Sequence, residues 1–316
     1  MSGAVKDARP ARSALGAPER GAVSPNGLTE GFSHSVDAQT PPVSLTLNHL
    51  PFQGRHGRFA PYTEKINKEG ESPMQCWGLT DIGCVRKMNQ DAFEIRQLDR
   101  NTALCVVCDG MGGAKSGNVA SSLAADVFSQ EIQRTWTPSM EWDKADQMLK
   151  NAVKLANFTV YDQSKQFEEF SGMGTTLVAA LVRGKQVSVV NVGDSRAYLI
   201  NQRGIRQITR DHSVVQMMVE RGELTSEMAK SYPGKNLITR AVGTEMTVLC
   251  DIFRQEAAKG DFLLLCSDGL SNLLDDQEVL FEVVHGVNKG RCCQRLLDIA
   301  ISRGSPDNVT AVLISL

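Results

Sequence analysis

From residue 74 onward, apolar and polar positions alternate with two periods, one near two residues and one near 3.6. Runs at 75–80, 91–96 and 103–108 read as strands, and helical spacing then covers 115–136 and 142–169. Four strand candidates follow closely at 175–182, 186–192, 196–200 and 205–208. The spacers Arg183-Gly184-Lys185 and Asn201-Gln202-Arg203-Gly204 carry hairpin-turn chemistry. A polar, helix-prone segment spans 212–230, strands are expected at 247–254 and 261–266, helices at 276–285 and 291–303, and a last strand at 309–315. Strands in antiparallel clusters, with helices in pairs between them, predict layered α+β architecture rather than a βαβ alternation.

Residues 1–73 break with this pattern. They are rich in Pro, Gly, Ser and Ala and show no sustained period. Such a segment buries too little apolar surface to offset its ordering entropy, so it reads as a disordered tail ahead of one domain at 74–316. Met74 is an alternative start for that domain. Three of the five histidines, His34, His49 and His56, are scattered through the tail in no ligand-like spacing.

A chain of 316 residues is long enough to bury a core without disulfides or structural metal. Its formal net charge of −2 argues against a dedicated nucleic-acid or membrane-surface binder, which would present a basic face. Most of the eight cysteines sit inside apolar runs, the usage of small buried hydrophobes in a reducing compartment. No apolar run approaches transmembrane length and no signal-peptide pattern opens the chain, so the expected location is cytoplasmic.

The candidate chemistry lies where apolar strands run into aspartate. Leu104 to Asp109-Gly110 and Leu263 to Asp268-Gly269 share this design, with glycine expected to turn the chain at the sheet edge. Asp307-Asn308 stands just before the last strand, and Asp307 would reach the same sheet end if that strand is antiparallel to the others. Each dipeptide alone is an ordinary turn sequence. Together, carboxylates and carbonyls are hard oxygen ligands suited to Mg²⁺ or Mn²⁺ rather than Zn²⁺. Cys105 and Cys108 have zinc-like spacing but should point to opposite faces of one strand.

Longer motifs surround these aspartates. Thr80-Asp81-Ile82-Gly83-Cys84-Val85-Arg86 with Asn89-Gln90-Asp91 resembles the opening motif of the protein phosphatase 2C family of metal-dependent Ser/Thr phosphatases. Asp109-Gly110-Met111-Gly112-Gly113 is similar to that family's second motif in its bacterial form. Gly172-Met173-Gly174-Thr175-Thr176, Val192-Gly193-Asp194-Ser195-Arg196, Thr209-Arg210-Asp211-His212-Ser213, Cys266-Ser267-Asp268-Gly269-Leu270 and Pro306-Asp307-Asn308-Val309-Thr310 resemble later motifs, in the family's order. The resemblance covers 74–316 and implies an αββα sandwich of two antiparallel sheets flanked by helix pairs.

Carried onto this chain, the resemblance implies that Asp109 bridges two cations, that Asp268 and Asp307 complete the ligand set of the first cation, and that the Gly110 carbonyl ligates the second. Asp91 would act through water on the metals, and Arg86 would grip the phosphate, as a guanidinium fork does better than lysine. Gln90 stands where the family often has an acid. Ser171 and Gly172 replace the acid bacterial relatives use for a third ion, and Glu168 and Glu169 are out of register, so two ions of Mn²⁺ or Mg²⁺ are expected. Two cations about 3.5–4 Å apart can activate a shared water against phosphorus, so no covalent nucleophile is needed. Met111 occupies the place of a histidine found in some members, which leaves His212 as the better candidate acid for the leaving oxygen, with metal-bound water as the alternative. The implied partners are phosphorylated proteins and a cognate Ser/Thr kinase with its substrates. Two rival functions are a silent phosphoprotein-binding module and a regulatory phosphatase switch. The first would have lost a metal aspartate, and all three are present; the second usually carries sensor or membrane segments.

Overall fold

The computed structural model describes residues 74–316, apart from 113–115, together with a two-residue strand at 64–65. In chain order the elements are β1 (Glu64–Lys65), β2 (Gln75–Asp81), β3 (Asp91–Asp99), β4 (Thr102–Met111), α1 (Gly117–Thr135) and α2 (Trp142–Gln166). Then come β5 (Gly174–Thr175), β6 (Leu177–Arg183), β7 (Gln186–Val192), β8 (Arg196–Asn201), β9 (Gly204–Gln207), α3 (Val214–Glu220) and α4 (Ser226–Lys230). The chain closes with β10 (Asp251–Glu256), β11 (Phe262–Cys266), α5 (Asp268–Ser271), α6 (Asp276–His285), α7 (Cys292–Ser302) and β12 (Val309–Ser315).

The strands form two sheets. One has the order β1-β2-β12-β11-β8-β9, the other β10-β7-β6-β4-β3 with β5 beside β4. Pairings within both sheets are antiparallel. Strand β4 shows how the layers arise. Its alternate residues Leu104, Val106 and Cys108 join the core beneath α1 and α2, while Ala103, Cys105 and Val107 face the core between the sheets. Cys105 and Cys108 therefore point to opposite faces, as the period of two requires. On the far side, Leu264 and Cys266 of β11 pack with Val279, Val283, Leu296 and Leu297 of α6 and α7. The result is the expected αββα stack, with three apolar layers between four structural ones.

Three expectations shift. Most of the expected tail at 1–73 lies outside the described residues; within it, β1 pairs with β2 at Cys76 and Gln75. The strand expected at 247–254 begins only at Asp251, because 247–250 has no ladder partner and strand pairing starts opposite Asn191. The 212–230 segment is broken into the short α3 and α4.

Candidate active site

The antiparallel pattern brings five aspartates to one end of the sandwich. Asp91 at the start of β3 lies directly opposite Asp109 near the end of β4. Cys266, at the end of β11, pairs with Ala311 near the start of β12, so Asp268 and Asp307 leave the other sheet at the same end. Asp194, between β7 and β8, is the fifth. Asp91 is buried, while Asp109, Asp194, Asp268 and Asp307 keep part of their surface open.

The glycines act differently from the expected turns. Asp109 and Gly110 continue β4, and Gly110 pairs with Thr175 of β5. A Cβ on Gly110 would stand 2.0 Å from the Gly117 carbonyl oxygen and 2.6 Å from that of Gln90. On Gly269 it would stand 2.0 Å from the Asn308 carbonyl oxygen. Both glycines are required by close backbone approach, and Asp268 opens the helical turn α5. The Gly110 carbonyl lies beside Gly117, at the root of α1.

Hydroxyls and amides hold the carboxylates from behind. Asp91 Oδ2 accepts from Ser267 Oγ at 2.7 Å and Thr310 Oγ1 at 2.6 Å, whereas its buried Oδ1 has no hydrogen-bond partner. The Asp109 amide donates to Thr176 Oγ1 at 2.9 Å, and Thr176 Oγ1 lies 2.7 Å from Ser195 Oγ. Asp268 Oδ2 accepts from Asn272 Nδ2 at 3.1 Å. Asp307 Oδ2 accepts from Arg86 at 2.7 Å. Asn308, quoted within a motif but given no role, proves central to the loop that carries Arg86. Its Nδ2 donates to the carbonyls of Ile82 (2.9 Å) and Met88 (3.1 Å), and its Oδ1 accepts from the Gln90 amide at 2.8 Å.

Crowded negative charge dominates the electrostatics. Burial, then the Asp268 and Asp307 charges, push Asp91 up to about 7 against the lowering effect of its two hydroxyl bonds. Burial and then Asp91 and Asp268 hold Asp109 well above the carboxylate range. Asp268 is raised by burial and then Asp307, and it shares a hydrogen bond with Asp109. Asp194 is pushed up to about 7 by burial and then by Asp268, which marks it as a member of the cluster. Sequence reasoning quoted Asp194 without a role; its signal was a carboxylate in a Gly-Asp turn between two apolar strands.

These residues fit a divalent cation. The donors are all oxygens, one buried carboxylate oxygen has no partner, and the mutual repulsion of the carboxylates is what positive charge would relieve. Among the described residues no three such side chains stand close enough to form a ready-made cage, and Asp307 is bonded to Arg86. Glu168 and Glu169 are exposed on a separate turn, so they add nothing to the cluster.

His212 is not where its expected role needs it. It is buried, with Nδ1 3.1 Å from the Gly193 amide nitrogen and Nε2 3.2 Å from Asp251 Oδ2 and 3.1 Å from Arg240. A backbone N–H aimed at Nδ1 requires a lone pair there; Nε2 faces both the Asp251 carboxylate, which favours a proton on it, and the Arg240 guanidinium, which can only donate. Burial lowers its pKa, ahead of the opposing bond from Asp251. Both ring nitrogens are thus engaged by Gly193 and by Asp251 and Arg240 rather than by the carboxylate cluster, an arrangement that does not favour His212 as the acid.

A sheet end lined by hard oxygen ligands beside a guanidinium is the donor set that a divalent-cation hydrolase centre would need. The family model described as Protein phosphatase 2C matches residues 85–291. Serine/threonine phosphatase stp of Listeria monocytogenes serotype 4b is 35% identical over 239 residues, 74% of this chain and 93% of its own. Serine/threonine protein phosphatase PstP of Mycobacterium tuberculosis is 35% identical over 238 residues, 74% of this chain and 43% of its own. The crystal structure of Serine/threonine phosphatase Stp1 from Staphylococcus aureus superimposes with a TM-score of 0.73 at 37% identity, covering 84% of this chain and 99% of that one. The chain belongs to the protein phosphatase 2C family. It is a metal-dependent protein serine/threonine phosphatase with that family's α+β sandwich.

Proposed function

We propose that residues 74–316 form a domain that hydrolyses phosphoserine and phosphothreonine in proteins with two Mn²⁺ or Mg²⁺ ions. Asp109, Asp268, Asp307 and the Gly110 carbonyl would hold the ions, with Asp91 behind them. The observation that carries this reading is the carboxylate cluster itself, in which burial and then neighbouring carboxylates, Asp307 among them, raise Asp91, Asp109 and Asp268. When bound, the cations supply charge neutralisation and activation of the attacking water.

The chain's own residues do the rest. Arg86, half-exposed at the rim, offers its guanidinium N–H groups to two phosphoryl oxygens and orients the ester. The Asn308 bonds fix the loop that presents it, so orientation does not depend on a mobile segment. Ser267 and Thr310 keep Asp91 aimed by donating to one oxygen and leaving the other available. With His212 committed elsewhere, the leaving alkoxide takes its proton from solvent at the open face. No helix among the described residues is long and apolar enough to cross a membrane, which is compatible with cytoplasmic phosphoproteins and a cognate Ser/Thr kinase as partners.

Calorimetric titration with Mn²⁺ and with Mg²⁺, alongside hydrolysis of a phosphothreonine peptide, tests the reading. Uptake of cation by wild type and its loss in Asp109→Asn, with activity following in parallel, is the expected result. A variant that keeps both would reject it.

A further inference from the structure

Two segments, 193–197 and 208–213, which overlap the motifs at 192–196 and 209–213, lie clamped against each other. The Ile208 amide donates to the Ala197 carbonyl at 2.7 Å, and the Ala197 amide to Thr209 Oγ1 at 3.1 Å. Arg196 donates to Asp211 from Nε at 3.1 and 3.0 Å and from a terminal nitrogen at 2.7 Å. At the end of this ladder His212 grips both sides of one residue. Its amide donates to the Gly193 carbonyl at 2.9 Å, and its Nδ1 accepts from the Gly193 amide at 3.1 Å.

The same histidine closes the root of the 212–239 loop. The Thr239 amide donates to the His212 carbonyl at 2.7 Å, and the Val214 amide to the Leu237 carbonyl at 2.9 Å. Arg240 donates to Asp251 Oδ1 at 2.9 Å, so Asp251, at the start of β10, takes hydrogen bonds from both Arg240 and the ring.

What His212 grips is one bond from the carboxylate cluster. Gly193 has φ +105°, and a Cβ there would stand 2.6 Å from Thr176 Cγ2, so the turn has little freedom. Asp194 follows it, then Ser195, whose hydroxyl contacts Thr176, the residue that receives the Asp109 amide. We propose that His212 is a positioning residue: its Nδ1 lone pair holds the Gly193 peptide, and through that peptide it fixes Asp194 among the carboxylates and ties the loop root to the site. The inference rests on the cation reading above.

Two isosteric probes separate this role from general packing. In His212→Asn the short amide oxygen falls near Nδ1 and accepts from the Gly193 amide; in His212→Gln the amide reaches toward Asp251 and leaves that N–H unmet. Each is titrated calorimetrically with Mn²⁺, assayed for kcat and KM on a phosphothreonine peptide, and melted without cation. His212→Asn should keep Mn²⁺ affinity within about threefold of wild type, while His212→Gln should lose about tenfold, the scale of one unmet buried donor. Should His212→Gln fail to fold, Asp251→Asn replaces it: with the Nδ1 bond intact, its Mn²⁺ affinity should stay within about threefold. Equal losses in the Asn and Gln variants, or a tenfold loss in Asp251→Asn, overturn the proposal. Wild type that takes up no Mn²⁺ at all would reject the cation reading instead, and this inference with it.

Discussion

Arg86 donates to Asp307 at 2.7 Å, which joins the proposed phosphate fork directly to a proposed cation ligand. The side chains are 48% and 29% exposed, so the pair is screened and worth about 0–1 kcal/mol. It is weak enough to yield when substrate arrives, and the guanidinium keeps further N–H groups for phosphate. Arg86→Ala should therefore shift thermal unfolding little, yet raise KM and lower kcat/KM about equally for peptide and aryl phosphate esters. Arg86→Lys should recover only part, because an ammonium lacks the fork. An unchanged KM on both esters would remove Arg86 from the phosphate site.

Removing one negative charge from the cluster should separate activity from stability. Asp109→Asn, Asp268→Asn and Asp307→Asn should each abolish most turnover, because cation binding is lost. For Asp109→Asn the cation-free protein should melt at the same temperature or higher, since burial and neighbouring carboxylates already disfavour the ionised Asp109. Melting curves with and without Mn²⁺ decide the matter: wild type should gain stability on adding the ion, and the variant should not.

The cluster also fixes the sign of a pH effect. Asp91 is pushed up to about 7 in the folded chain, against about 3.9 when unfolded. Between those values the native state keeps a proton that the unfolded chain has lost, so stability falls as pH rises through the window and levels off above it. The effect is on the order of a few kcal/mol. Without divalent cations, the melting temperature should drop from pH 5 to pH 8. Asp91→Asn should make that drop smaller, with the other raised carboxylates keeping part of it, and excess Mg²⁺ should reduce it too. A melting temperature that rises over the same range would contradict the assignment.

Much of this was legible before any coordinates, because strand periodicity and motif order are local properties. Asp109, Asp268 and Asp307 follow or precede apolar strands, and antiparallel pairing then brings them to one end. What the sequence hid depends on long-range contacts. Gly110 and Gly269 looked like turn glycines, but each is demanded by a backbone from elsewhere, Gly117 and Asn308. Asn308 gave no sign that it would anchor a loop more than two hundred residues away. The strand at 251 starts late because its partner, Asn191, sets the first rung.

His212 is the sharpest case, and it yields the last prediction. Composition left it as the best-placed histidine in the domain, and an acid for the leaving oxygen was wanted. In the fold, Nδ1 faces the Gly193 amide, Nε2 faces Asp251, and burial lowers the pKa, so neither nitrogen is turned toward an ester at the carboxylate cluster. An acid deleted from the site would hurt an alkyl phosphate far more than p-nitrophenyl phosphate, whose leaving group is a weak base. A deleted positioning residue has no such preference, because displaced carboxylates impair both substrates alike. His212→Ala should therefore lower kcat for phosphothreonine peptide and for p-nitrophenyl phosphate by similar factors, with the half-saturating Mn²⁺ concentration raised for both. A loss confined to the peptide would restore His212 as the acid and require the 212–239 loop to reorganise when substrate binds.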